Sequence, residues 1–383
     1  MYALITRRAA VVIAGAAVLA AGACAGDAAV PVRPAAAATA MSLSCGAIAP
    51  VSASFVSGTT GWLLGLAVPS GTRIVLCRTV DGGRRWSSVP APPAPWPYRS
   101  SASGPPVSTG PGAVSQIVFA DPQDGWAYGP GLWATHDGGA HWHRVGTSGA
   151  NVTEMAAAAG QVIAVFSQES GTTFAAYTSP AGADTWRPVP GVSGVGQAVR
   201  AGLAVSGRTG YVVSSYTPLS GQPAVLLTGP ADGSARWQRH PLPCPGSSVV
   251  AVAAATRPGI VVACAGIGFH PTPTQVYRSL DGGRSWQRLA GLVLEDSVSS
   301  LSVAPDGTIL VSGLYSGMLM SHDGGQSWHP VTAVDDSEAV QGGGIVTAVI
   351  AISQMGFAIV IGDAFWLTRD GGHTWTAVTV IRH

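Results

Sequence analysis

The sequence predicts an all-β chain built from repeated four-stranded antiparallel units. Three observations carry that expectation. A Ser/Thr-x-Asp-Gly-Gly-x-x-Trp pattern recurs along the chain. The segments between its copies are short apolar runs rich in β-branched and aromatic residues, punctuated by Gly, Pro and Asp. No part of the repeat region shows helical periodicity.

Five copies align without gaps: "TVDGGRRW" ending at Trp86, "THDGGAHW" at Trp142, "SLDGGRSW" at Trp286, "SHDGGQSW" at Trp328 and "TRDGGHTW" at Trp375. Their turn aspartates are Asp81, Asp137, Asp281, Asp323 and Asp370. Two decayed copies fill the large gap. "SPAGADTW" ends at Trp186 with Ala181 in place of the Asp, and "GPADGSARW" ends at Trp237, keeping Asp232 and Gly233 but replacing the second Gly by Ser234. Successive Trp positions lie 56, 44, 51, 49, 42 and 47 residues apart, which makes seven units of similar length.

Each unit has the same internal order, clearest in "VSQIVFADPQDGWAYGPGLWATHDGGAHWHRV". A first strand (114–119) leads through a turn with Asp121, Pro122 and Gly125 to "WAYG". "LWATH" follows, then the Asp/Gly turn, then "HWHRV". Four strands per unit and seven units predict a seven-bladed β-propeller over 46–383. The blades fall at approximately 46–90, 112–146, 151–190, 197–242, 247–290, 297–332 and 344–381.

The turn residues have a mechanical reading. An Asp at the turn entrance accepts backbone N–H groups further on, glycines supply positive φ, and the Trp folds back over the turn to bury a large apolar area. A calcium loop would need further alternating carboxylates, which each copy lacks. Of the twelve tryptophans, seven close units, Trp62 and Trp126 begin second strands, and Trp133 and Trp366 lie on third strands. Trp96 alone lacks a packing explanation.

The pattern resembles the Asp-box, or bacterial neuraminidase repeat. The "GW…G" that precedes the third strand resembles the photosystem II assembly-factor-like propellers and, more distantly, the sortilin ectodomain. The resemblance covers nearly the whole chain after the leader and implies the propeller fold. It implies little about activity, because glycosidases, receptors and assembly factors share the repeat.

The N-terminus predicts export. "MYALITRRAAVVIAGAAVLAAGAC" carries Arg7 and Arg8 and then an apolar run of about 15 residues, too short for a spanning helix of roughly 20. Residues 1–23 read as a signal peptide and 24–45 as a linker. "LAAGAC" resembles a lipobox that would place a lipid on Cys24, with Ala21 where that pattern usually has Leu. Cleavage within "AAAATA" (35–40) is the alternative, and "TRRAAVV" loosely resembles a twin-arginine signal. The expected location is therefore the outer face of a membrane, or secretion.

Composition narrows the partners. All 20 basic side chains are Arg. Removing Arg7 and Arg8 leaves 18 against the 19 acidic residues. That near-neutral surface excludes a nucleic-acid footprint and leaves a lipid at Cys24 as the only membrane contact. Cys45, Cys77, Cys244 and Cys264 form an even set in an exported chain, which reads as two disulfides. Proximity favours Cys45–Cys77 and Cys244–Cys264. No Cys-x-x-Cys or His-x-His group accompanies these cysteines, and neither a metal nor a cofactor is expected.

Function is expected on the face opposite the Asp/Gly turns, where loops vary on a rigid scaffold. The longest insertion, "VPAPPAPWPYRSSASGPPVSTGPGAVS", is Pro-rich, extended and stiff at its start, and presents Trp96, Tyr98 and Arg99, residue types enriched at binding hot spots. "GIGFHPTPTQ" adds Phe269 and His270, "GLVLEDSVSS" adds Glu295 and Asp296, and "AVDDSEAVQGGG" adds Asp335, Asp336 and Glu338. Capping loops and ordinary solvated charges are the plain alternative.

No catalytic motif is legible. Sialidase chemistry needs three carboxylate-clamping arginines, a Tyr–Glu pair and an acid Asp, and its Phe/Tyr-Arg-Ile-Pro motif is absent. Glutamate occurs only at Glu154, Glu169, Glu295 and Glu338. The reading is a monomeric, non-catalytic extracytoplasmic binding or assembly scaffold whose partner is a protein or glycan of the cell envelope. The alternative is a diverged glycoside hydrolase acting on extracellular glycans.

Overall fold

The computed structural model describes residues 45–378 except 69–72, 102–103, 109–111, 169–172, 196–199, 216–223, 245–247, 256–258, 267–273, 293, 295–297, 314–316, 333–345, 354–355 and 362–363. Its strands form seven four-stranded sheets and one two-stranded sheet. Within every four-stranded sheet the strands lie in chain order, each antiparallel to the next. The sheets, blades 1 to 7, span Ile48–Val89, Gln116–Arg144, Asn151–Val195, Arg200–Pro241, Ser248–Arg288, Val298–Pro330 and Val346–Val378.

First strands pack side by side around the ring, and the last of them (Val346–Ser353) returns to the first (Ile48–Phe55). The result is a β-propeller of four-stranded antiparallel blades. Burial follows radial position. Second strands are covered on both faces, as in Gly61–Ala67, Gln161–Ser167 and Ile309–Gly313, which explains their continuous apolar sequence. The outermost strands His143–Arg144, Gln287–Arg288 and His329–Pro330 are exposed and polar.

The core sits between blades rather than in one central mass. Trp62, Leu64 and Leu76 of blade 1 pack with Ile117, Phe119 and Ala127 of blade 2. Val261 and Val276 of blade 5 pack with Leu301 and Val311 of blade 6. Phe365 and Leu367 of blade 7 join Leu63 and Trp86 of blade 1, with the Phe365 and Trp86 rings edge to face at 5.8 Å. The ring therefore closes by side-chain packing, each blade being one continuous stretch of chain.

In the Asp/Gly turns the Asp accepts backbone N–H groups as expected, but it does not act alone. The Ser or Thr two residues before the Asp is equally involved. Its hydroxyl accepts the N–H of the second glycine, at 2.7 Å for Thr79 with Gly83 and for Ser321 with Gly325. The same hydroxyl donates to the Asp Oδ1, at 3.0 Å for Asp81 and 2.8 Å for Asp323. That oxygen also accepts the N–H four residues on, from Arg85, His141, Ser285, Ser327 and Thr374. One carboxylate and one hydroxyl thus satisfy a turn that has no partner strand.

These turns also seat each blade on the one before it. Gly325, at φ +92°, leaves no room for a Cβ, which would lie 2.3 Å from Leu289 Cδ1 of blade 5. Gly283 meets Leu226 of blade 4 in the same way, and Gly83 meets Leu367 of blade 7. The carbonyl of the first glycine then accepts a donor from the preceding blade. Trp62 Nε1 donates to Gly138 O at 3.1 Å and Arg278 Nη1 to Gly324 O at 3.0 Å, while Arg369 Nη2 donates to Gly82 O across the closing seam.

A pH dependence follows. The side-chain hydroxyls and backbone N–H groups of Ser285 and Ser327 hold Asp281 and Asp323 well below the usual carboxylate range. A carboxylate with a depressed native pKa stabilises the fold fully above its unfolded value of about 3.9, and that contribution is lost as pH falls towards the native value. The contribution of these turns to the urea midpoint should therefore hold steady from neutral pH to about pH 5 and fall below about pH 4. Ser327→Ala should weaken the acid-side slope relative to wild type; superimposable profiles would show that the turn is not the titrating element.

Two disulfides are present, Cys45–Cys77 with Cα atoms 6.0 Å apart and Cys244–Cys264 with Cα atoms 5.4 Å apart. These are the pairings that proximity favoured. Within the Pro-rich insertion, Tyr98–Ser101 pairs antiparallel with Gly104–Ser108 as a small hairpin between blades 1 and 2. Among the described residues no helix is long and apolar enough to cross a membrane.

Candidate functional site

The strand order puts the Asp/Gly turns and the turns between first and second strands on one face of the ring. The remaining connections lie on the other. Of the residues expected on that second face, Trp96 is half-buried and packs against the apolar seam of blades 1 and 2. Its ring thus has the packing role that the sequence left unassigned. Tyr98 and Arg99 lie on the inserted hairpin, opposite Ser108 and Val107 respectively. Phe269, His270, Glu295, Asp296, Asp335, Asp336, Glu338 and Cys24 fall outside the described residues.

A titratable cluster that the described residues assemble lies on the turn-bearing face. His136 and His143 flank the glycines of the blade 2 turn, Asp124 comes from the turn between the first two strands of that blade, and Asp184 comes from the decayed turn of blade 3. His136 Nδ1 lies 2.7 Å from Asp124 Oδ1, and its Nε2 lies 3.1 Å from Asp184 Oδ2. His143 Nε2 lies 2.8 Å from that same Asp184 oxygen. The other oxygen of Asp184 accepts the Trp126 indole N–H at 2.9 Å. His141, in contrast, turns away to Asp137.

Local structure explains the convergence. In blade 3 the Asp has moved three positions along the turn, from the place of Ala181 to 184. Ser179 still braces the turn by accepting the Thr185 N–H at 2.9 Å. Asp184 itself has φ +46°, a left-handed conformation that Asp tolerates better than most residues, and this aims its carboxylate at blade 2. The x position of the pattern faces outward: Val80 and Leu280 stand there 67% and 73% exposed. A histidine at that position in blade 2 therefore reaches solvent and the neighbouring turn together.

Burial opposes protonation of His136, but the hydrogen bonds to Asp124 and Asp184 outweigh it and hold its pKa above the ordinary histidine value. Asp137 is held down to about 2 by the backbone N–H and imidazole of His141. Both ring nitrogens of His136 face carboxylate oxygens, which only accept hydrogen bonds, whereas a neutral imidazole has a single N–H. The ligand atoms of His136, His143 and Asp184 all lie within 4.8 Å of one another, a spacing that one metal ion can bridge.

Sequence reasoning missed this cluster. The available signal was the density of histidine in "THDGGAHWHR", which holds three of the nine in the chain and includes a His-x-His. The partner Asp184 sits 41 residues beyond His143, out of register within a decayed copy, so nothing local ties it to the histidines.

No protein-family model matches the sequence. No curated protein matches it either. Solved structures do match in fold. "YCF48 bound to D1 peptide" is 19% identical with a TM-score of 0.54, over 88% of this chain and 98% of that one. "YCF48 from Cyanidioschyzon merolae" is 15% identical with a TM-score of 0.57, over 86% of this chain and 97% of that one. A GH74 xyloglucanase from Xanthomonas campestris is 14% identical, but its TM-score of 0.42 carries no weight. At these identities the likeness is one of fold.

Proposed function

We propose that this chain is a non-catalytic scaffold that binds a protein of the cell envelope through the face opposite the Asp-box turns. The observation that carries the reading is the hairpin Tyr98–Ser108, an addition to an otherwise uniform four-stranded plan at the point where Trp, Tyr and Arg cluster in sequence. Propellers of this shape bind peptides: the YCF48 structure similar to this chain holds a D1 peptide. The reading includes export, consistent with two disulfides in the fold. It also includes a lipid anchor at Cys24 and a monomeric propeller. The glycoside hydrolase alternative would require Glu295 to stand about 5 Å from an Asp across the channel, or somewhat further for an inverting enzyme.

Capture from envelope extract tests this. Ala91, Ala94 and Trp96 pack on the core and must stay, so the informative variant lacks only the hairpin 98–108. Wild type should retain an envelope protein that the hairpin-deleted chain and a Tyr98→Ala/Arg99→Ala chain release. Equal retention by all three would remove the hairpin from the binding surface.

A further inference from the structure

From the convergence of His136, His143 and Asp184 at the seam between blades 2 and 3, we infer a binding site for a single divalent transition-metal ion of the zinc class. The ligand atoms are His136 Nε2, His143 Nε2 and Asp184 Oδ2. Two imidazoles and one carboxylate form a donor set suited to such ions and poorly suited to calcium or magnesium, which take oxygen ligands.

The distances fit. Bonds of about 2.0–2.1 Å at tetrahedral angles set neighbouring ligand atoms roughly 3.3 Å apart. Asp184 Oδ2 lies 3.1 Å from one imidazole nitrogen and 2.8 Å from the other. The ligand atoms of the two imidazoles lie within 4.8 Å of each other, and the rings have centroids 5.5 Å apart. His143 has a side chain 55% exposed and therefore room to swing inward. The fourth position faces solvent, where water completes the shell.

The surroundings are those of a metal site rather than of a stray surface cluster. Asp124 takes the Nδ1–H of His136, which fixes the tautomer and directs the Nε2 lone pair at Asp184. The Trp126 indole holds the oxygen of Asp184 that does not coordinate. Both the carboxylate and the more buried imidazole are thus oriented by an outer partner. Protonated His136 donates to both carboxylates, so a metal ion at Nε2 takes the place of that proton. The nearby His141 serves as an internal control, because its ring is committed to Asp137.

The test is zinc titration of the chelator-stripped full chain against a chromophoric zinc indicator, with cobalt absorption as the geometric readout. Wild type should take up one equivalent of zinc and give the intense visible bands of four-coordinate cobalt. His143→Gln, at an exposed position that leaves the core untouched, should abolish both. Asp124→Asn should weaken affinity by about 10–100-fold, as loss of an outer-shell partner does. His141→Ala should bind like wild type. A wild-type chain that takes up no zinc, or uptake that His143→Gln leaves unchanged, would overturn the assignment.

Discussion

Trp62→Ala should lower the free energy of unfolding by about 3–5 kcal/mol, the range for truncating a fully buried aromatic. Trp62 is completely buried and makes three distinct contacts, two of them across the seam to blade 2. Its ring stacks on Phe119 of blade 2 with centroids 3.6 Å apart and planes 3° from parallel. Its indole N–H donates to Gly138 O, the first glycine of the blade 2 turn. On the other side the Arg78 guanidinium lies 5.1 Å from the ring centre. Truncation therefore opens a cavity and strips a buried carbonyl of its donor together. Trp62→Phe separates the two effects: it keeps much of the ring and should cost about 1–3 kcal/mol for the unpaired carbonyl. Equilibrium urea unfolding followed by far-UV circular dichroism measures both. Equal costs for the two variants would mean that the hydrogen bond, not the packing, holds the seam.

The division between what the sequence shows and what only the structure shows follows sequence distance. Each turn pattern is complete within eight residues, so Asp323, Gly325 and Trp328 announce their roles locally. Strand order was legible for the same reason, because each blade is one continuous stretch. The seams were not legible. Trp62 and Gly138 lie 76 residues apart, and Arg369 and Gly82 lie 287 apart. No periodicity encodes which side chain of one blade meets which carbonyl of the next. The same holds for the metal-ligand cluster, whose residues come from two blades. The sequence pointed to the opposite face because long variable loops and aromatic residues lie there, whereas the turn face presents mostly conforming copies of one motif. Only a departure from the motif, the displaced Asp184, makes the turn face chemically distinctive at blade 2.

The Cys244–Cys264 crosslink should matter most where the turn pattern has decayed. In blade 4, Asp232 accepts the Ser234 N–H but lacks the Ser/Thr partner that Asp323 has in Ser321. Pro230, at the corresponding site two residues before Asp232, has no hydroxyl to offer. The crosslink runs from Cys244, just past the last strand of blade 4, to Cys264 on the second strand of blade 5. Both sulfurs lie in the apolar seam that Val213 and Leu226 share with Ile260 and Val262. The bridge spans a sequence separation of 20, for which loop-closure entropy in the unfolded chain predicts about 3 kcal/mol. Cys244→Ala/Cys264→Val keeps apolar groups in the seam and removes the constraint. It should shift the urea midpoint downward by an amount equivalent to about 2–4 kcal/mol. The reference is the matched Cys45→Ala/Cys77→Val chain, whose bridge has a sequence separation of 32. By chain entropy alone the second pair should cost slightly more, by about 0.4 kcal/mol. A distinctly larger loss for the blade 4–5 pair would show that this bridge also holds the seam that a weakened turn no longer secures.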